Sequence, residues 1–326
     1  MPQSPPLSSS SAASSSSAAS ASGSSPGRRR TSPPLHSTLL REDFDEVLES
    51  EVFVDVNKLR KYARHGIPDE IRGEVWKYLL GVEKPDRSNE FTQRRARFES
   101  YQEIDKENVE VSKRVRGEVN RYLMRTKKES FLNPHTAPAI FDVVICAYIN
   151  CNNHVEYSPA LISACAPFVI TMDNDCDVYS CFERLANVLH ESSQERNINK
   201  RVAQFLSYFR TLMPELYNYF EEEELDVGEW ASSWLRYLLS KELPTPSVLS
   251  LWDVYFAMPD YIEFHPFVCL AILKHLKDSL EDLEQSEIRS VLLRLPKMNI
   301  SRIVSQAHNI RSEIQARYNL SMSPRS

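Results

Sequence analysis

The chain has 326 residues, of which 42% are hydrophobic and 26% are charged, and its formal net charge is −6. These values are ordinary for a globular protein, and a general nucleic-acid binder would carry a basic excess instead. No apolar run reaches the roughly 18 uncharged residues needed to span a bilayer. The N-terminus lacks the positive-then-apolar pattern of a signal peptide. The sequence therefore predicts a soluble, cytoplasmic protein.

Cysteine usage supports the same compartment. The chain is too long for a small secreted disulfide scaffold, and it contains no Cys-x-x-Cys pair. No pair of histidines or cysteines has the spacing of metal ligands, so no metal site is predicted. We expect reduced, buried thiols at all six cysteines, which are Cys146, Cys151, Cys165, Cys176, Cys181 and Cys269.

Residues 1–37 form a Ser/Ala-rich segment of low complexity. Such a segment cannot bury enough apolar surface to offset the entropy of ordering it, so we predict a disordered tail. Its basic run, Arg28 to Arg30, precedes Thr31-Ser32-Pro33. A solvated basic patch is the favoured interpretation, with a phosphorylation site or a weak localisation signal as alternatives. A helical domain is predicted over 38–320, and 321–326 form a loose C-terminus.

The domain begins with a helical pattern in which Leu40, Phe44, Val47 and Leu48 fall on one face. Further on, Gly66 should end the second helix, Pro68 suits the first turn of the third, and Gly81 should cap it. No strand alternation and no hairpin signal is found. The pattern predicts an all-α fold of two packed lobes that share one long core.

In the middle of the chain, Val111, Val115, Val119 and Leu123 recur every four residues, which predicts a helix with one buried side and Arg125 near its end. Pro138 suits the first turn of the next helix. The segment 150–154 is predicted as a loop. Ser158 should then cap a helix that has Pro159 at its first position and is apolar nearly all round over 160–170.

Other residues with chemical potential have structural interpretations. Trp76, Trp230, Trp234 and Trp252 are predicted core anchors, and Asp253 is predicted to be a hydrogen-bonded helix residue. Three histidines are isolated in the sequence, without a Ser or Cys partner, so a hydrolase triad is not supported. They are His65, His154 and His190.

Taken in order, these segments resemble the TBC domain of Rab GTPase-activating proteins, over roughly Leu59 to Leu295. The C-terminal part of the domain, around 264–269, is most similar to the Gyp1-like branch of that family. The matching segments are Gly66-Ile67-Pro68 with Arg72, Val75-Trp76 and Leu79-Leu80-Gly81; Arg125-Thr126; Tyr157 through Phe168; and the later landmarks Pro214-Glu215-Leu216, Trp234, Glu242-Leu243-Pro244 and Leu251-Trp252-Asp253.

The resemblance implies a partner and a mechanism. The partner would be a Rab-like small GTPase of vesicle traffic that binds GTP and Mg²⁺ itself, so this chain needs no cofactor. Arg125 would be an arginine finger that neutralises charge on the transferred phosphate, and Thr126, Tyr157 and Pro159 would contact the partner. The chain would activate hydrolysis by a partner and would not be an enzyme in itself. It would meet endomembranes only indirectly, together with other proteins of a trafficking complex.

The chain also departs from the family pattern. Tyr122 stands where the second motif has aspartate, and Pro159 stands where the third has the glutamine that positions the attacking water. A proline has no side-chain amide for that task. Either the GTPase supplies its own glutamine and Arg125 acts alone, or the domain has lost catalysis and is a binding scaffold or adaptor. The two replacements favour impaired or absent activity. A helical adaptor without GTPase contact is the weakest alternative.

Overall fold

The computed structural model describes residues 35–126 and 131–322. Residues 1–34 of the predicted tail and the last four residues lie outside this range. The described residues form fifteen helices and no strand, apart from one isolated antiparallel bridge between Phe53 and Asp86. This confirms the predicted all-α fold. The helices are α1 (Leu35–Leu48), α2 (Val56–Ala63), α3 (Arg72–Leu79), α4 (Glu90–Glu103), α5 (Val109–Thr126), α6 (Ala137–Cys151), α7 (Ala160–Thr171), α8 (Asp175–Ser193), α9 (Glu195–Leu212), α10 (Pro214–Glu222), α11 (Val227–Tyr237), α12 (Thr245–Phe256), α13 (Tyr261–Leu280), α14 (Gln285–Leu293) and α15 (Ile300–Met322).

One continuous hydrophobic core extends from Phe44 in α1 to Ile314 in α15. All four tryptophans are buried in it, as predicted. The ring of Trp76 contacts those of Phe168 and Phe256 edge-on, at centroid distances of 5.7 and 5.0 Å. Such aromatic pairs add to the stabilisation that burial provides. The core therefore connects α3 to α7 and α12. None of the described helices is long and apolar enough to cross a membrane.

A buried ion pair joins α3 to α12. The Asp253 carboxylate accepts hydrogen bonds from Arg72 Nε at 3.0 and 3.2 Å, from Trp76 Nε1 at 2.9 Å and from the Ile67 N–H at 3.0 Å. Both carboxylate oxygens are thus paired with donors. The prediction that Pro68 starts α3 is wrong, because the helix begins at Arg72. The backbone before it is engaged elsewhere, since the Ile67 N–H donates to Asp253 and its C=O accepts from Arg72 Nη2 at 2.7 Å.

Helices α3 and α7 come into backbone contact at Gly73. A Cβ at this position would lie 2.2 Å from the carbonyl oxygen of Thr171. Only glycine permits this approach, which sets the position of α7 and of the segment that leads into it. Gly81 follows α3 with φ of +72° and closes it as predicted, and its N–H donates to Tyr78 O at 3.1 Å.

Several boundaries differ from the sequence predictions. Helix α6 continues to Cys151, so Asn150 and Cys151 are helical and not part of a loop. The Asn150 amide donates to Asp105 O at 2.9 Å, which holds the end of the helix in place. Helix α1 begins three residues before the expected domain boundary at 38, and α15 extends two residues past the one at 320.

Candidate functional site

The predicted finger residue, Arg125, lies on the surface at the C-terminal end of α5. Its Nη2 donates to the hydroxyl of Ser163, in the first turns of α7, at 3.4 Å. Its guanidinium carbon is 5.2 Å from the ring centroid of Tyr122, which lies one turn earlier in α5. A tyrosine ring can hold a guanidinium through its negative face, but it does so more weakly than a carboxylate would. The guanidinium is thus exposed and lightly held.

Pro159 lies on the surface, one helical turn before Ser163. Its dihedral angles (φ −54°, ψ −25°) are helical, and the Ala160 N–H donates to the Ser158 hydroxyl at 3.4 Å. The N-cap of α7 is Pro159, which makes no side-chain cap hydrogen bond, so the prediction that Ser158 caps the helix and that Pro159 is its first residue is wrong by one position. Because Ser163 lies in α7 and contacts Arg125, the two predicted finger positions lie on the same face of the molecule. The proline position offers no amide there.

The other two predicted contact residues are less accessible. Thr126 is half-buried, and its hydroxyl donates to the backbone carbonyl of Tyr122 at 2.9 Å. Tyr157 is buried, and the Arg114 guanidinium lies 4.6 Å from its ring centroid. Tyr157 can therefore act on a partner only by holding the segment that leads to Pro159.

A cleft of about 130 Å³ lies beside Arg125, and the connection from α11 to α12 forms part of its lining. Three cations line it, and they are Arg125, Lys241 and Arg294. The remaining lining residues are Tyr122, Thr126, Ser240, Glu242, Leu243, Pro244, Thr245 and Leu295.

Glu242 is the buried acid of this cleft, with only 2% of the residue exposed. Ser233 Oγ donates to its Oε1 at 2.6 Å, whereas Oε2 has no hydrogen-bond partner among the described residues. Burial raises the pKa of the Glu242 carboxyl; the Ser233 hydrogen bond and the charges of Lys241 and Arg125 oppose this rise. The neighbouring Ser240 hydroxyl is also buried without a partner in the described part of the chain.

A second cavity, of about 230 Å³, is lined at the α7 N-terminus by Ser158 and Leu161 and in α8 by Phe182 and His190, among others. The Ser158 hydroxyl is 3.4 Å from the Tyr237 hydroxyl at the end of α11. Two histidines that the sequence suggests are isolated meet here, because the rings of His154 and His190 are 5.0 Å apart and edge-on.

A buried polar cluster of His265, Tyr255 and Cys269 contacts the backbone of α11 at Trp234. His265 Nε2 lies 2.8 Å from Trp234 O, to which it can only donate, and a neutral imidazole then accepts at Nδ1 from the Tyr255 hydroxyl, 2.6 Å away. Burial lowers the pKa of His265 to about 3. The Cys269 sulfur lies 3.5 Å from His265 Nε2. Cys269 is one of five buried cysteines, but Cys151 is exposed, so the prediction that all six are buried is wrong for Cys151.

The sequence alone assigns no role to Ser163, Ser240 or Glu242. Ser163 is a short polar residue within an apolar run, Ser240 lies between Leu239 and Lys241, and nothing in their spacing marks them. Glu242 stands out only as part of a family landmark. A glutamate is usually found at the surface, so its burial could not be anticipated.

Comparison with known proteins agrees with this architecture. A family model described as the Rab-GTPase-TBC domain matches residues 69–281. The GTPase-activating protein gyp1 of Schizosaccharomyces pombe is 25% identical over 293 residues, which cover 78% of this chain and 56% of that protein. Human TBC1 domain family member 22A is 23% identical over 301 residues, with 79% of this chain and 57% of that protein covered. The chain thus spans little more than half the length of these relatives.

Solved structures show the same fold. The crystal structure of the Ypt/Rab-GAP domain of Gyp1p superposes with a TM-score of 0.72 at 19% identity, over 85% of this chain and 99% of that one. The TBC domain of a flagellar RabGAP from Chlamydomonas gives a TM-score of 0.57 at 18% identity, over 86% and 94% of the two chains. Because the family model matches well over half of its residues, this chain belongs to the Rab-GTPase-TBC domain family.

Proposed function

We propose that this chain regulates a Rab-type small GTPase by binding it over the face where the end of α5, the start of α7 and the α11–α12 connection meet. Arg125 enters the nucleotide pocket of the GTPase as an arginine finger. The observation that carries this proposal is the exposed, lightly held guanidinium of Arg125 on the same face as Pro159. An arginine finger is worth roughly 10³ to 10⁵ in the rate of GTP hydrolysis.

The surface next to Arg125 supports a docking role. Met124 is 78% exposed, and Phe131, after the segment 127–130, is also exposed. Large apolar side chains beside a charged group are typical of surfaces that become covered in a complex. A GTPase that covers them would exclude water from Arg125 and thereby strengthen its electrostatic effect on the phosphate.

Pro159 determines how the chemistry is divided between the two proteins. The chain supplies positive charge through Arg125 but offers no amide at position 159 to orient the attacking water. The GTPase therefore supplies its own glutamine for this step, together with its bound GTP and Mg²⁺. This chain acts as an arginine-only activator whose effect depends on the partner. The complex forms at cytoplasmic endomembrane surfaces, which the chain reaches through the GTPase and other trafficking proteins.

The dependence on the partner's glutamine gives a direct test. Single-turnover hydrolysis is measured over a panel of Rab GTPases, and each responsive GTPase is then tested with its own glutamine replaced by alanine. We expect the replacement to abolish stimulation. The double variant Pro159→Gln, Ala160→Gly should restore it, because it returns an amide and backbone freedom to the α7 start. Stimulation that persists without either glutamine would refute the division of labour.

Binding without catalysis is a second candidate, and the exposed proline at position 159 is the observation that favours it. In this case the chain would act as a scaffold that captures a GTP-loaded Rab. Capture of GTP-loaded but not GDP-loaded GTPase, with no acceleration of hydrolysis by the unmodified chain, would support this function over the first. Equal capture of both nucleotide states, or none, would argue against it.

A further inference from the structure

The buried carboxylate of Glu242 lacks one expected partner. The residue is nearly as buried as the core tryptophans and lines the cleft beside Arg125, yet its Oε2 accepts no hydrogen bond from the described residues. A buried carboxylate oxygen without a donor is costly, because it has lost its hydration and gained nothing in exchange. Such a group calls for a cation or a donor within the cleft.

The backbone that carries Glu242 is strained. Leu238 and Leu239 follow α11 with φ of +50° and +62°, a left-handed conformation that leucine rarely adopts. Both are fully buried, and the Leu243 N–H closes the turn on Leu239 O at 3.0 Å. Packing thus enforces a turn that directs Ser240 and Glu242 into the cleft. Strain of this kind is concentrated at functional sites.

Three cations line the cleft and could serve Oε2. Lys241 Nζ is already directed to Ser233 Oγ at 3.2 Å, and Arg294 is exposed on the opposite rim. The hydrogen bond that Arg125 donates to Ser163 is long, at 3.4 Å. The positive charge of Arg125 is also among the influences that lower the pKa of Glu242. The Cys269 thiol stays neutral because burial raises its pKa well above the usual value, and the negative charge of Glu242 also raises it.

We propose that Glu242 is the positioning residue for Arg125. Its unpartnered Oε2 provides the negative charge that orients the guanidinium of Arg125. This carboxylate lies in the α11–α12 connection, whereas Tyr122 in α5 offers the guanidinium only a ring face. This assignment explains why the acid is buried, why the turn before it is strained and why Arg125 has few other contacts. The structure records no ion pair between Arg125 and Glu242, which both lie in its described part, so the counter-charge acts across the cleft that they line. Its purpose rests on the proposed function, but the electrostatic coupling itself is a property of the free protein.

The pairing is tested by NMR titration of the Glu242 carboxyl, with ¹³C-labelled glutamate and assignment from the signal that Glu242→Gln removes. Arg125→Gln should raise the pKa of Glu242 by about one unit, because a nearby positive charge lowers the pKa of a carboxyl by at least about that much. Lys241→Gln and Arg294→Gln serve as matched controls and should shift it less. A Glu242 pKa that Arg125→Gln leaves unchanged, or that responds more to either control, would overturn the proposal.

A kinetic readout separates positioning from a merely structural role. On a GTPase that responds to the chain, Glu242→Gln should lower kcat about tenfold with KM unchanged, and it should have no further effect in an Arg125→Ala background, because the two residues act as a unit. Equal losses in both backgrounds would contradict the pairing. Because the titration needs no GTPase, it tests the pairing of Glu242 with Arg125 even where the proposed function fails.

Discussion

Two buried carboxylates of this domain, both on family landmarks, have opposite surroundings. Asp253 in α12 has donors on both oxygens, from Arg72, Trp76 and the Ile67 backbone. Glu242, before α12, is similarly buried and lines the Arg125 cleft, but it has a donor on only one oxygen within the described part of the chain. A fully satisfied network is what a scaffold needs. A half-satisfied one next to an exposed arginine indicates a surface that is completed by another group.

The largest effect should come from breaking the satisfied site. Asp253→Asn removes the buried counter-ion of Arg72 and leaves only the exposed Asp69 beside the guanidinium, and we expect it to lower the free energy of unfolding by about 3 to 5 kcal/mol. Urea denaturation followed by circular dichroism measures this. Glu242→Gln is the matched control and should cost less than about 1 kcal/mol, because it removes a charge that is only partly compensated. Equal losses would remove the distinction between the two sites.

The next effect tests how α7 is held against the scaffold. Gly73→Ala forces a methyl group into the carbonyl oxygen of Thr171, and we expect a loss of about 2 to 3 kcal/mol as the helices separate. Gly117 in α5 is the matched control, since a Cβ there meets no atom within 4 Å. Gly117→Ala should be neutral or stabilise the domain by up to about 1 kcal/mol. If Gly73→Ala is equally harmless, the close approach does not position α7.

A smaller effect depends on pH and tests the polar cluster under α11. Burial lowers the pKa of His265 to about 3, so between about pH 6.5 and 3 the unfolded chain binds a proton that the folded chain does not. Stability from this group is complete above pH 6.5 and falls as the pH decreases, by about 1.4 kcal/mol per unit. Urea midpoints at pH 7 and 5.5 measure the slope. In His265→Gln this contribution should vanish, and an unchanged slope would refute it.

The sequence predicts the scaffold better than the site. The spacing of residues such as Phe44, Val115 and Val119 identifies the buried helix faces, because burial imposes the helical period on apolar residues. The predicted start of α3 is wrong, since tertiary contacts of Ile67 with Asp253 outweigh the local preference of Pro68 for a first turn. The left-handed pair Leu238–Leu239 carries no sequence signal, because only packing makes leucine adopt it. The Glu242 cleft follows from that turn and so could not be predicted.

The smallest expected effect on stability belongs to Arg125. It is exposed, and its polar contact with Ser163 is long, so Arg125→Ala should cost no more than the roughly 1.4 kcal/mol that a one-unit rise in the pKa of Glu242 represents. Denaturation in urea checks this. A loss above about 2 kcal/mol would mean that the arginine is a structural part of α5.

The central claim is that Arg125 is used by a partner and not by the fold, and single-turnover GTP hydrolysis over a Rab panel tests it most directly. Arg121, one turn earlier in α5, is the matched control, because it is also exposed and pairs with Glu118 at 2.5 Å. We predict that the unmodified chain accelerates at least one Rab by about tenfold or more, that Arg121→Ala retains this effect, and that Arg125→Ala abolishes it. Stimulation that survives Arg125→Ala would contradict the claim.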